Sequence, residues 1–271
     1  MSNTINKDVY VKTKIVSHHH ILNVESFEYF TRGDTLIEVS DIDERTFMLS
    51  CYKTPQNTNP DVFYSKAHNI ISHFIIAINV ATLGHFTWDF NFISPTPYIL
   101  VDELKKASHL LFPKGKKYLN NEKPLSIDKN LIWRTLQVFL AISKDDDRSL
   151  KKEYIKGLYN LHHNFFDIEF LNEAFSNFYK AFEYFSTKRV LKLDKLTNEK
   201  KQLRQVLSEF GFEEDILKNF DKLYVIRCSQ AMHAQKDLAL VDKEAVIRIK
   251  IFLDSIMHKY YQPVWEEIFK K

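Results

Sequence analysis

The chain has 271 residues, 45% of them apolar, which suits a globular protein of one large domain or two ordinary ones. Its 38 basic and 35 acidic residues leave a formal net charge of +3, so no global field draws polyanions to it; a nucleic-acid partner has to be argued from a local patch. Only 5 Gly and 7 Pro argue against an all-β protein built on tight turns, and 22 Phe with 13 Tyr imply broad aromatic packing.

The first stretch reads as strands. Apolar and polar residues alternate over 9–16, 26–30, 35–39 and 46–52, with Arg32-Gly33-Asp34 as a hairpin turn. A polar loop over 55–60 leads to Asp61, which is expected to cap a long helix over 62–83 ended by Gly84. A strand over 85–92, stopped by 94–97, a short helix over 102–111 and a basic loop over 114–123 complete an α+β domain at 1–125: a small antiparallel sheet with a long helix. From Asp128 the periodicity becomes helical. Helices are expected over 131–142 and 150–166, the second with Ile155, Tyr159, His162 and Phe166 on its apolar stripe. A third, over 169–185, repeats Leu171, Phe175, Phe178, Phe182 and Phe185 on one face. A fourth, over 198–210, ends at Gly211, and a fifth opens on the acids Glu213, Glu214 and Asp215 and runs through Arg227. The sixth, over 242–261, puts Ala245, Ile249, Phe252, Leu253, Ile256 and Tyr260 together and is expected to stop at Pro263. Residues 126–271 thus form an all-α helical bundle.

Two cysteines, Cys51 and Cys228, make neither a disulfide framework nor a CxxC pair. Residues 1–15 are too polar for a signal peptide, and the most apolar stretch, 70–83, is broken by Ser72, His73 and Asn79 and shorter than the ~20 residues that span a bilayer. The expected setting is cytoplasmic, with no membrane contact.

The residue that stands out is Arg227. On the fifth helix Ile216, Phe220 and Leu223 form an apolar stripe whose next position is Arg227, and a guanidinium there is costly unless it is paired or opens to a cleft or partner. His233 follows six residues later, about 600° around a straight helix, so the two converge only if the helix ends or bends between them, or if counterparts meet across a dimer axis.

The segment Leu223-Tyr-Val-Ile-Arg-Cys-Ser-Gln-Ala-Met-His-Ala234 resembles the Arg-x(4–6)-His motif of the HEPN superfamily, and 170–185 is similar to that family's earlier helix, with aromatics around Ala181-Phe182-Glu183. The resemblance covers about half the chain. In the family the residue after the arginine is often Asn, Asp, His or Ser; here it is Cys228, followed by Ser229. The resemblance implies a HEPN-like bundle that homodimerises through residues 126–271 and cleaves RNA without metal or cofactor, as a defence or toxin-like effector. RNA supplies the 2′-OH nucleophile, so the products carry 2′,3′-cyclic phosphate ends. His233 is then the proton-transfer group and Arg227 the phosphate binder, with Gln230 and Glu183 as substrate-binding residues. Residues 1–125 would serve as sensor or regulator. The competing reading is a non-catalytic HEPN-type module that binds nucleotide or RNA, or dimerises.

Other candidates have plainer readings. His18, His19 and His20 cannot all face one ion on a strand, so they read as a loop or strand end. His68 and His73 are five apart on a helix, which does not bring two ligands to one face, and His162-His163 read as packing. Asp41, Asp43 and Glu44 read as a solvated turn, and Asp145 to Asp147 as a helix-flanking loop. Lys114, Lys116, Lys117 and Lys123, with Tyr118, form the best local cationic loop and read as a solvated linker before a phosphate contact.

Overall fold

The computed structural model of the chain describes residues 10–30, 35–53, 60–89, 98–99, 126–145, 147–165, 168–230 and 241–269, and it divides into two compact units, Met1–Phe139 and Leu140–Lys271. The expected turn at 32–34, residues 55–59 of the expected loop, the stop at 94–97, the helix at 102–111 and the lysine loop at 114–123 lie outside the described residues.

In Met1–Phe139 the strands are β1 (Tyr10–Ser17), β2 (Ile21–Leu22), β3 (Phe27–Phe30), β4 (Thr35–Ser40) and β5 (Thr46–Lys53), followed by helix α1 (Pro60–Thr82) and strands β6 (Phe86–Trp88), β7 (Tyr98–Ile99) and β8 (Ser126–Ile127). The main sheet is antiparallel in the order β3-β4-β5-β1-β6, with β7 also pairing β1, while β2 and β8 form a short parallel pair. Alternation along β1 buries Val11, Thr13, Ile15 and Ser17. The β4–β5 turn is the acidic segment, and it is a turn for a local reason: Asp43 accepts hydrogen bonds from the amides of Arg45 and Thr46 and the Thr46 hydroxyl. These bonds, the Thr46 hydroxyl first, hold the Asp43 carboxyl below its ordinary value. Helix α1 starts at Pro60, which suits a first helical position because it lacks the N–H that would go unsatisfied there, so Asp61 falls inside the first turn rather than before it. From Ile70 to Thr82 every residue is buried, which explains why that stretch shows no amphipathic period. Ser72 and Thr82 donate back to the carbonyls of His68 and Ile78, and Asn79 donates to the carbonyls of Ile75 and Phe86 and accepts from the Phe86 amide, tying the helix end to β6. At the C-terminus Leu83, not Gly84, takes the left-handed conformation (φ 49°). Gly84 is required by space, since a Cβ there would lie 2.6–2.8 Å from Thr82, Phe86 and His20. The histidine tract is a strand end, as expected, although His20 is buried beside Phe86.

In Leu140–Lys271 the elements are the end of α2 (Lys129–Asp145), α3 (Arg148–His162), a two-residue hairpin of β9 (Asn164–Phe165) and β10 (Ile168–Glu169), α4 (Leu171–Phe185), a π-helical turn (Ser186–Val190), α5 (Glu199–Glu209), α6 (Glu214–Gln230) and α7 (Lys243–Phe269). Helix α4 buries Ala174, Phe175, Phe178, Tyr179, Ala181, Phe182 and Phe185, which is the expected stripe without Leu171, itself only half-buried, and with Ala174, Tyr179 and Ala181 added. Helix α3 buries Leu150, Tyr154, Gly157, Leu158 and Leu161, not the Ile155–Tyr159–His162 face, and it ends at His162. His163 then stacks on Tyr159 and Phe170. Gly157 is where α3 and α4 touch: a Cβ there would meet the Phe178 ring at 2.8 Å. Asn198 caps α5, and Gly211 (φ +76°) closes it as expected. Helix α7 runs through Pro263 instead of stopping. The one lost amide bond is tolerated where the preceding turn is anchored, with Tyr260 and Tyr261 against Phe185 and the Tyr261 hydroxyl on Asp145.

Arg189 and Lys250 each anchor a charged cluster in this unit. Arg189, on the π-helical turn, reaches Asp145 at 2.9 Å and Asp147 at 3.1 Å, while Asp147 also caps α3. Lys250 and Asp254, one turn apart on α7 and both with 0% of the side chain exposed, pair at 2.6 Å, and the Tyr154 hydroxyl donates to the other Asp254 oxygen at 2.6 Å. A buried pair is strongly destabilised by losing one partner and weakly by losing both. Asp254→Ala is therefore expected to cost about 3–5 kcal/mol in urea denaturation, with Lys250→Met/Asp254→Leu recovering most of it. Gly157→Ala, favourable by helix propensity alone, is expected to cost about 1–3 kcal/mol in the same assay because Phe178 has nowhere to go.

Candidate functional site

Helix α6 places Arg227 by the packing of its own apolar side. Leu217, Phe220 and Leu223 are buried, whereas Ile216 is 40% exposed, so the stripe that leads to Arg227 starts one residue later than the sequence spacing suggests. Phe220 meets Phe182 of α4 at 5.8 Å between ring centroids, and four residues beyond Leu223 the guanidinium arrives over the Tyr179 ring at 5.6 Å. Its Nη2 lies 3.0 Å from Glu199 and 3.9 Å from Glu183. The arginine is therefore paired, with 29% of its side chain still open to solvent.

Three helices supply the cluster. Tyr179 and Glu183 are one turn apart on α4, so they share a face. Glu199 is the first residue of α5, behind the Asn198 cap, and its Oε1 accepts the Tyr179 hydroxyl at 3.0 Å while Oε2 faces Arg227. Tyr224 and Cys228 lie on α6 on either side of Arg227, and Lys200 lies 5.9 Å from the Tyr224 ring. The basic residues of α5 are largely spent on acids of α6: Lys200 and Arg204 both pair with Asp221, and Arg204 also with Glu214.

The electrostatics follow from two carboxylates sharing one cation. Burial, and then the neighbouring Glu199, push the Glu183 carboxyl up, against the opposing pull of Arg227. Burial works against the Arg227 cation, but Glu199, Cys228, Tyr179 and Glu183 outweigh it and hold it above its ordinary value. Burial and then Glu199 push the Tyr179 hydroxyl far up, so it stays a donor.

Of the four residues singled out from the sequence, Arg227 and Glu183 come together. Gln230 is the last residue of α6, its side chain not among those described, and His233 lies outside the described residues. Glu199 and Tyr179 were missed. A glutamate in the first turn of a capped helix already has a role in complementing the helix dipole, which hides any other. Tyr179 falls among the aromatics of α4, and only its four-residue spacing from Glu183 marked it. Among the described residues no group of three or more His, Cys, Asp or Glu is placed to hold a metal ion. In Met1–Phe139 a separate cleft of about 650 Å³ lies between β3 and the start of α2, walled by Phe27, Tyr29, Ile132 and Trp133, the last 48% exposed.

No family model, curated protein or solved structure matches the chain. No helix among the described residues is long and apolar enough to cross a membrane.

The shared cation makes a directional prediction. In an NMR titration of the folded protein the Glu183 carboxyl should titrate above the ordinary glutamate range; Arg227→Ala should raise it further and Glu199→Gln should lower it. No change in either variant would separate Glu183 from the cluster.

Proposed function

We propose that the chain is a metal-independent endoribonuclease of HEPN type, acting on RNA as a cytoplasmic homodimer through residues 126–271. The observation that carries this reading is Arg227 itself: a guanidinium on the apolar side of α6, paired on one corner, part-exposed, and six residues before His233. An arginine so held is suited to binding phosphate oxygens and stabilising the charge of a pentavalent phosphorane. In the proposed reaction the RNA 2′-oxygen attacks the adjacent phosphorus, and the bond from phosphorus to the 5′-oxygen breaks. Proton transfer from the 2′-OH and to the leaving 5′-oxygen falls to His233, one copy from each motif of the dimer, and leaves 2′,3′-cyclic phosphate and 5′-OH ends. Gln230 orients the substrate, and Glu183 acts beside Arg227. Residues 1–125 are assigned a sensing or regulatory part in a defence or toxin-like effector.

A second reading is a non-catalytic HEPN-type module that binds nucleotide or RNA, or dimerises. It is favoured by the two carboxylates that already neutralise the guanidinium.

Incubation of the purified protein with RNA in EDTA separates them. The ribonuclease reading expects cleavage with cyclic phosphate ends, lost by about 10²-fold or more in both Arg227→Ala and His233→Ala, and no cleavage of DNA. Binding without cleavage supports the module, and cleavage unaffected by His233→Ala sinks the mechanism.

A further inference from the structure

We propose that the cleft in Met1–Phe139 is a docking groove for an extended segment of a partner protein, one carrying a large apolar side chain close to a basic residue. The inference stands apart from the ribonuclease reading, since it concerns a different unit and is tested by binding rather than cleavage.

The cleft, of about 650 Å³, has two unlike walls. One is the unbroken run from Asn23 to Tyr29. Successive side chains of a strand point to opposite faces, so a hollow over one face meets every second side chain. A hollow lined by every residue in turn, Glu28 as well as Phe27 and Tyr29, follows the edge of the chain. The topology agrees, because β3 is the terminal strand in the order β3-β4-β5-β1-β6. Just before β3, Val24 and Glu25 belong to no strand, and among the described residues neither makes a backbone hydrogen bond. Their amides and carbonyls are open to the main chain of a ligand laid alongside.

The other wall is a helix. Lys129, Ile132, Trp133 and Leu136 follow the three- and four-residue spacing of a single stripe on α2. Ile132 and Leu136 are buried, whereas Trp133 is largely exposed and, among the described residues, has no hydrogen bond or ring contact. An unstacked indole beside two buried aliphatic side chains is a ready anchor for an apolar group. A strand edge on one side and an apolar helix on the other suit an extended peptide. Its main-chain bonds run along the edge, and its alternate side chains reach toward the helix.

Charge selects the occupant. Glu25 is exposed and makes no ion pair among the described residues, and the exposed Glu28 follows three residues later. A second copy of the chain paired edge to edge would turn these acids toward their own counterparts, and like charges on facing strands repel. A segment with Lys or Arg meets them favourably, with Lys129 on the facing wall confining that preference to the strand side. Such exposed pairs add little affinity but do select among partners.

The test is selection from a displayed library of random linear heptapeptides on the immobilised full chain, with Trp133→Ala and Glu25→Lys run beside wild type. Wild type should enrich sequences that combine a large apolar residue with Lys or Arg. Synthetic copies of the enriched peptides, followed by fluorescence anisotropy, should lose at least about tenfold in affinity for Trp133→Ala. Glu25→Lys should bind them about threefold more weakly, and should itself enrich acidic peptides. Methylating one peptide amide nitrogen at a time should weaken binding at every second residue, the period of strand pairing. No enrichment over a blocked surface, equal affinity for wild type and Trp133→Ala, or methylation losses without a two-residue period overturns the proposal. So does a wild-type dimer in light scattering that Trp133→Ala makes monomeric, since a second copy then fills the groove. Circular dichroism checks folding; should Trp133→Ala be unfolded, the reversed charge preference of Glu25→Lys and the methylation pattern decide.

Discussion

The packing of α4 is the constraint on which the helical unit depends. Its aromatic side chains point to nearly every neighbour: Phe178 fills the space left by Gly157 on α3, Phe182 meets Phe220 on α6, and Phe185 meets Tyr260 and Tyr261 on α7. Large, rigid side chains with two rotatable bonds fix distances well, because a packed ring cannot move without displacing its neighbours. The same helix carries Tyr179 and Glu183 into the Arg227 cluster. Core and candidate site are thus two faces of one element, and the position of the guanidinium inherits the precision of the core.

The unit also has to accommodate cations in poorly solvated places, and it does so in three ways. Lys250 is enclosed completely and matched to one carboxylate, with Tyr154 satisfying the other oxygen. Arg189 sits nearer solvent and spreads over Asp145 and Asp147, linking the end of α2 to the cap of α3. Arg227 likewise meets carboxylates from two different helices, both nearest its Nη2, with the Tyr179 ring beneath it.

Much of this was legible beforehand, and for identifiable reasons. The strands of the sheet and the stripes of α4 and α7 have one buried side, so period two and period 3.6 appear directly in the sequence. The N-terminal small antiparallel sheet and the mostly helical remainder follow from that contrast. Three features were misread because tertiary contacts overrode local signals. The Ile155–Tyr159–His162 spacing on α3 is as regular as the buried Tyr154–Leu158–Leu161 spacing, and only the fit of Gly157 to Phe178 selects between them. Pro263 fails to end α7 because Tyr260 and Tyr261 hold the turn before it. Gly84 was expected for its backbone freedom, yet it is needed for its lack of a side chain. The site divides in the same way. Arg227 broke an apolar pattern and so could be seen, whereas Glu199 obeyed the rule for a helix start and could not.

The partnering of Arg227 also bears on how a phosphate would approach it. Two ionised carboxylates around one guanidinium leave the corner net negative, which opposes an incoming anion. Burial and the proximity of Glu199 both favour the neutral form of Glu183, and an arriving phosphate would favour it further, since each added negative charge raises a neighbouring carboxyl. The cluster therefore has a way to shed charge as an anion enters without moving a helix. The two glutamates are unequal: Glu199 lies 3.0 Å from Arg227 and also accepts the Tyr179 hydroxyl, whereas Glu183 lies at 3.9 Å and is the one whose neutral form burial favours.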